Sequence, residues 1–318
     1  MCYSAQVRAD YKKYVRRYGA DINLKEFYRL YWLRERGEKI RIPKALDAMF
    51  EHPENADEAR IKELIDAYNA REATRLEQEL FKQRKRLADA ERSLATKHTK
   101  TAAESQRIAK DKVEWSLRKL ADLRRTELLD RDSRIFPGWY APVLAEVDGQ
   151  RVVMPMRYQC RLAGKPANYD FKYPGTYNAR RDNLEGFWRA PFGSTHALMI
   201  VHAFYENVAR HAMEHRELAP GENEENVVLE FRPRPQHDML VACLWSHWQG
   251  GDEDLYSFAA ITDEPPEEVA AAGHDRCIVP ITPDHVDAWL KPDPANLAAL
   301  YAILDDRDRP YYEHRMAA

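Results

Sequence analysis

The sequence predicts an α+β fold, rich in sheet and interrupted by a long α-helical hairpin, and three observations carry that expectation. Residues 51–130 hold 17 acidic and 18 basic residues, no glycine, no cysteine and one proline, Pro53. Runs of strand length follow this segment, separated by turn dipeptides. No alternation of strand with helix and no glycine-rich loop occurs, which argues against doubly wound nucleotide-binding folds and P-loop chemistry.

Within the charged segment, apolar residues recur at Ile61, Ile65, Tyr68, Leu76, Leu80, Leu87 and Leu94, the stripe of an amphipathic helix. A second stripe, Val113, Leu117, Leu120 and Leu128 with Trp115 beside it, follows a polar break at Lys97–Thr101. Two antiparallel helices joined near residues 96–104 bury both stripes against each other. The chain thus divides into a domain of residues 1–50 and 131–318 and an inserted coiled-coil-like hairpin of residues 51–130, a candidate arm for a protein partner or for self-association.

The strand-length runs are Val152–Met156, Leu198–Val201, Val227–Phe231, Met239–Trp245 and Phe258–Thr262. Asp148-Gly149, Pro174-Gly175, Gly250-Gly251 and Pro265-Pro266 punctuate them, and helical patterns are expected around 203–217, 266–272 and 283–302.

At 318 residues the chain can bury a large core without staples. Its 44% hydrophobic and 32% charged residues and mean hydropathy of -0.69 are those of a soluble protein. The net charge of -3 hides an uneven distribution. Residues 1–50 sum to +6 and 131–212 to +4, whereas 213–318 carry 8 basic and 22 acidic residues. The two basic segments suit one phosphate-attracting face.

The four cysteines, Cys2, Cys160, Cys243 and Cys277, have no close spacing, and no apolar leader or run of about 20 apolar residues occurs. A reducing cytoplasm, no structural zinc and no membrane are the expectations. His211-Ala212-Met213-Glu214-His215 matches the H-x-x-E-H pattern of inverted zinc proteases, but no third ligand follows, so a surface helix is expected and no metal or cofactor is assigned.

Cys2 is a candidate nucleophile. Removal of Met1 exposes an amine and a thiol on one residue, able to condense with an aldehyde into a thiazolidine, and the α-amine titrates near pH 8. Three further stretches stand in order: Thr176-Tyr177-Asn178-Ala179-Arg180-Arg181-Asp182, Leu198 to Asn207 with Phe204-Tyr205-Glu206, and Gly273-His274-Asp275-Arg276-Cys277-Ile278. With Met1-Cys2 they resemble the signatures of the SOS response-associated peptidase (SRAP) family: Met-Cys-Gly-Arg, Asn-Ala-Arg-x-Glu, Gly-Phe-Tyr-Glu-Trp and His-Asp-Arg-Met-Pro. Leu244-Trp245 with Trp248, Asp287–Leu290, Phe136-Pro137-Gly138 and Met156-Arg157-Tyr158 extend the similarity, which covers residues 1–25 and about 134–290 and leaves out the hairpin.

The resemblance implies a sheet-rich, barrel-like core and a protein that links itself covalently to abasic sites in single-stranded DNA, with autocatalytic removal of Met1. By matching position, Cys2 is the nucleophile, Asn178 positions sugar or cysteine, Glu206 is general acid/base, His274 moves the proton on the sugar ring oxygen, and Arg180 holds a phosphate. Elementary chemistry agrees with these roles: ring-opening needs a proton shuttle near neutrality, and a carboxylate beside Phe204 and Tyr205 is suited to dehydrating a carbinolamine. Trp139, Tyr140, Tyr158, Tyr177 and Trp188, interleaved with Arg134, Arg157, Arg180, Arg181 and Arg189, suit a single-strand groove, with Arg157, Arg181 and Tyr158 as further DNA contacts.

Tyr3-Ser4, Asp182, His202, Asn207 and Cys277-Ile278 depart from the family pattern. They leave Cys2, Asn178, Glu206 and His274 in place and alter the expected DNA contacts. Abasic single-stranded DNA is the expected partner and a bacterial-type cytoplasm the expected location, nucleoid-associated when bound to DNA. The alternative from a different class is a non-catalytic DNA- or protein-binding module with the hairpin as interaction arm.

Overall fold

The computed structural model describes residues 4–7, 10–251 and 253–317. Cys2 therefore lies outside the described residues. Two compact units emerge, one of Met1–Leu30, Lys39–His52 and Leu129–Ala318, the other of Tyr31–Glu38 and Pro53–Leu128. Residues 31–38 group with the hairpin, whereas composition assigns them to the sheet-rich domain.

The first unit opens with β1 (Ser4–Val7), α1 (Tyr11–Tyr18), β2 (Asp21–Ile22), α2 (Leu24–Glu35) and α3 (Lys44–Ala48), α2 running on across the unit boundary. The hairpin is α4 (Ala56–Thr96) and α5 (Lys100–Arg124). After it come β3 (Arg134–Ile135), β4 (Tyr140–Val147), β5 (Gln150–Tyr158), α6 (Tyr169–Lys172), β6 (Asn178–Arg180), β7 (His196–Ala209), α7 (Arg210–Met213) and β8 (Asn226–Arg234). The chain continues through β9 (Met239–Gly250), β10 (Glu253–Asp263), α8 (Glu267–Ala271), β11 (Cys277–Ile278), β12 (Pro280–Ile281), α9 (Val286–Leu290), α10 (Leu297–Asp305) and β13 (Tyr311–Met316).

Five strands close on themselves. β9 pairs with β10, β10 with β5 in parallel, β5 with β4, β4 with β7, and β7 returns to β9. Alternate residues fill the core: Val143 and Ala145, Met154 and Met156, Ala197, Met199 and Val201, Val241 and Cys243, Phe258 and Ala260. The intervening residues Leu144, Leu198, Ile200, Leu240, Leu244, Ala259 and Ile261 are buried too, so these runs read as continuously apolar rather than alternating.

On that second face, Trp289 of α9 donates its indole N–H to the Ala197 carbonyl (3.0 Å) and packs on His196, ring centroids 4.0 Å apart. His196 donates from Nδ1 to the Trp289 carbonyl (3.0 Å) and accepts the Gly193 N–H at Nε2 (2.9 Å). Both ring nitrogens are committed only in the neutral imidazole.

β7 is 14 residues long and outruns the barrel. Its first half pairs with β4 and β9, its second half with β1 and β8. The helix expected over 203–217 is thus corrected: the chain stays extended to Ala209 and only Arg210–Met213 is helical. Pairing on both edges satisfies the backbone of this stretch, which overrides its local pattern.

In the hairpin unit the seam has seven-residue spacing: Leu76, Gln83 and Ala90 on α4, and Ala102, Ala109 and Ser116 on α5, are buried. Small residues let the two backbones approach. Leu117 and Leu128, expected in the interior, are substantially exposed, as is Trp115 beside them. Asn55 caps α4 by accepting the Glu58 N–H, and Glu58 returns to the Glu54 N–H and the Asn55 amide. Thr99 caps α5 through the Ala102 N–H. Among the described residues no helix is long and apolar enough to cross a membrane.

Candidate active site

Glu206 sits on the overhanging end of β7, opposite Leu229 of β8, with no solvent exposure. The neighbouring Tyr205 pairs with Ser4 of β1. Polar contacts clamp that strand: Arg134 donates to the Ser4 hydroxyl (2.9 Å) and lies over the Tyr205 ring, while Tyr205 OH contacts Gln6 and Glu230, each at 3.3 Å. Burial, with Glu230 beside it, pushes the Tyr205 phenol up to about 12, so it remains a donor at neutral pH. Glu230 is ion-paired with Arg232 and Arg315. Sequence reasoning missed this clamp, because its members are scattered over more than 300 positions and meet only through strand pairing.

His274 stands between α8 and β11, its Nε2 3.3 Å from Glu206 Oε2. Gly273 makes the approach: its φ is +93°, and a Cβ there would lie 3.2 Å from Ala212 Cβ and 3.4 Å from the Met213 nitrogen, just beyond the end of β7. Gly273→Ala should therefore cost about 1–2 kcal/mol of stability through left-handed strain alone and displace His274. Urea unfolding checks the first effect, and an unchanged midpoint would contradict it.

His274 Nδ1 lies 2.8 Å from the Arg276 carbonyl and 3.3 Å from the Arg276 N–H; assigning the proton to Nδ1 for the shorter contact turns the Nε2 lone pair toward Glu206. Burial holds the imidazole below its usual pKa, against the Arg276 carbonyl and Asp275, which raise it. A carboxyl group and a neutral imidazole nitrogen facing each other in a water-poor pocket can share and pass one proton. Cys277, three residues on, is buried near Glu206, and burial followed by that carboxylate pushes its thiol far above the usual range. It is no nucleophile at neutral pH.

Asn178 lies on β6, which runs parallel to β10 with Asn178 opposite Ala260 and Arg180 opposite Thr262. β10 holds β11 at Thr262 and Asp263, so β6 and the strand after His274 flank the same end of β10. Asn178 is 5% exposed, and neither its amide oxygen nor its nitrogen has a hydrogen-bond partner among the described residues. Each unmade bond costs on the order of 1–3 kcal/mol, and a ligand that makes them recovers it. Thr262 Oγ1, also buried without a partner, was not anticipated.

The expected DNA contacts separate. Arg180 is exposed and forked onto Asp182 (2.6 and 3.1 Å), with Asp275 adding to the field that raises its pKa. Arg181 is held by Asp263 and Asp305. Arg157 pairs with Asp170, which Arg161 also grips. Tyr158 has no exposed surface and stacks on Phe258 (5.2 Å), so its expectation is corrected: the ring belongs to the core and offers no face to a base. Tyr177 and Trp188 are likewise buried. Trp139 and Tyr140 are half-buried, and more accessible rings lie in a nearby segment that sequence reasoning passed over. Phe171 is 80% and Tyr173 46% exposed, Tyr173 packs on Tyr169, Tyr169 on Phe187, and Lys165 lies over both of the latter.

The zinc-protease spacing does not form a site. α7 stops at Met213 and His215 has φ +52°, so the two histidines do not share a helical face. No cluster able to hold a metal occurs among the described residues. A cavity of about 460 Å³ beside Cys277, Arg307 and Tyr312 includes none of Asn178, Glu206 or His274.

No curated protein matches the chain. Among solved structures it is similar to a protein from Bordetella bronchiseptica (15% identity, TM-score 0.45, covering 61% of this chain and 90% of that one). It is also similar to a phage-related protein from the same organism (18%, 0.44, 61% and 85%) and to a protein from Bacteroides thetaiotaomicron (17%, 0.43, 54% and 73%). The family model described as SOS response associated peptidase (SRAP) matches residues 92–316, which span Asn178, Glu206 and His274, and the chain belongs to that family.

Proposed function

We propose that this protein captures abasic sites in single-stranded DNA through Cys2, with Glu206 and His274 as its proton-transfer pair and Asn178 as the positioning amide. At the family level, membership carries an association with abasic sites and DNA damage. The observation that supports the finer reading is the Glu206–His274 contact, buried one residue along from the pairing of Tyr205 with Ser4. Cys2 precedes Ser4 by two residues.

Removal of Met1, in this reading by the protein itself, is required, because a peptide-bonded Cys2 has no amine to condense. Glu206 hands its proton to His274 Nε2, which passes it to the sugar ring oxygen, and the Glu206 carboxylate takes the C1′ hydroxyl proton, so the ring opens to the aldehyde with one proton again on the pair. The Cys2 amine adds to the aldehyde carbon, and Glu206 protonates the departing hydroxyl, releasing one water and leaving an iminium. The thiol adds to that carbon, and its proton passes to the pocket base as the iminium pair returns to nitrogen. The ring closes as a thiazolidine with no change in oxidation state.

Arg180 trades Asp182 for a phosphate, and the Phe171–Tyr173 surface with Lys165 stacks the flanking bases. The test uses uracil-containing single-stranded oligonucleotide treated with uracil glycosylase. The protein should yield an adduct that survives heating on a denaturing gel, and Cys2→Ala should abolish it. An adduct undiminished in Cys2→Ala would overturn the proposal.

A further inference from the structure

The hairpin is nearly neutral as a whole, but its charge is segregated along its length. Residues 81–112, the far ends of both helices and their connection, hold ten Lys/Arg and four Asp/Glu, a net of +6. The remainder, 53–80 and 113–128, holds 8 and 11, a net of -3. Lys82, Arg84, Lys85, Lys97, Lys100 and Lys110 are exposed and have no carboxylate partner among the described residues.

A groove of about 450 Å³ lies between the helices at this end. Lys82, Lys85 and Arg86 line it from α4, and Thr99, the cap of α5, with Thr101 and Ser105 of α5, lines it opposite. Asp89, which also borders it, is ion-paired with Arg92. Arg86 donates from Nε to Ser105 Oγ (2.9 Å), which orients its guanidinium across the groove. Three cations facing hydroxyl donors are the chemistry of a phosphate cradle, and the start of α5 adds its partial positive charge.

We propose that the far end of the hairpin binds the phosphate backbone of DNA, a contact on a different unit from the candidate active site. The 16 residues of α4 and 13 of α5 in this stretch, at 1.5 Å rise, give a basic surface of roughly 20–24 Å, the length of about six or seven phosphates of one strand. Phe81 is the one large exposed apolar side chain described in this stretch, so the surface lacks the apolar centre of a protein interface. The inference rests on the family's association with DNA and is independent of Cys2 chemistry.

The test measures binding of the full chain to an intact duplex without abasic sites, by fluorescence anisotropy across a salt series. Lys82→Gln with Lys85→Gln, both at exposed positions, should weaken binding about tenfold at low salt and reduce the slope of log affinity against log salt by about 1.8. The matched pair Arg118→Gln with Lys119→Gln should change neither. Equal loss in both variants, wild-type affinity in the first, or a loss confined to phosphatidylglycerol vesicles would overturn the proposal. Cys2→Ala should give the wild-type slope even where it abolishes cross-linking, so the two proposals fail separately.

Discussion

Glu206→Gln should slow cross-linking to abasic single strands by about 100-fold or more, the usual loss when a positioned acid/base is removed. Non-covalent affinity for the same strand should stay within about twofold of wild type. The side chain is fully buried and glutamine matches its shape, so the substitution removes a titratable proton and little packing. It also distinguishes the proton pair from a purely structural contact. A glutamine N–H can still donate to His274 Nε2 at the 3.3 Å spacing, so a structural role would leave the single-turnover rate near wild type. Rate loss without affinity loss is the signature of a group that acts in the transition state.

Acidification should destabilise the fold through His196. Burial pushes its pKa from 6.5 down to about 3, against a raising contact from the Trp289 carbonyl. The unfolded chain takes up a proton near pH 6.5 that the folded chain refuses until about pH 3, so stability is full above 6.5 and is lost as pH falls through that window. The loss amounts to about 2 kcal/mol at pH 5. Protonating Nε2 would also strip Gly193 N–H of its acceptor. His274, likewise depressed, adds the same sign. Urea unfolding between pH 5 and 7 measures the slope, and His196→Gln should flatten it. An identical slope in both proteins would refute the assignment.

The runs Leu198–Val201 and Met239–Trp245 were legible as strands because β7 and β9 bury both faces and need apolar residues at every position. The extension of β7 to Ala209 was not, since β1 and β8 supply the pairing that holds it. In the hairpin the apolar stripes announced two helices and, at Ile61, Ile65, Leu76 and Leu120, part of what they bury, but not the rest of the seam. Ala90, Ala102, Ala109 and Ser116 do the packing by being small, which a search for large apolar residues overlooks.

At the candidate site, Glu206 and His274 were named from motif resemblance alone, and their 3.3 Å contact emerges only when Gly273 turns the chain against the end of β7. Tyr158 illustrates the opposite failure. An aromatic beside arginines has the same sequence pattern whether its ring stacks on a base or on Phe258, and only the pairing of β5 with β10 decides it.

Peptide mapping of the heated protein–DNA adduct by mass spectrometry addresses the central claim most directly. The account predicts that the adduct lies on the peptide beginning at Cys2, with Met1 absent, at the summed mass of peptide and abasic oligonucleotide less one water. It also predicts that the adduct persists without borohydride reduction, which separates a closed thiazolidine from an imine of equal mass. An adduct on an internal lysine, or one recovered only after reduction, would contradict it.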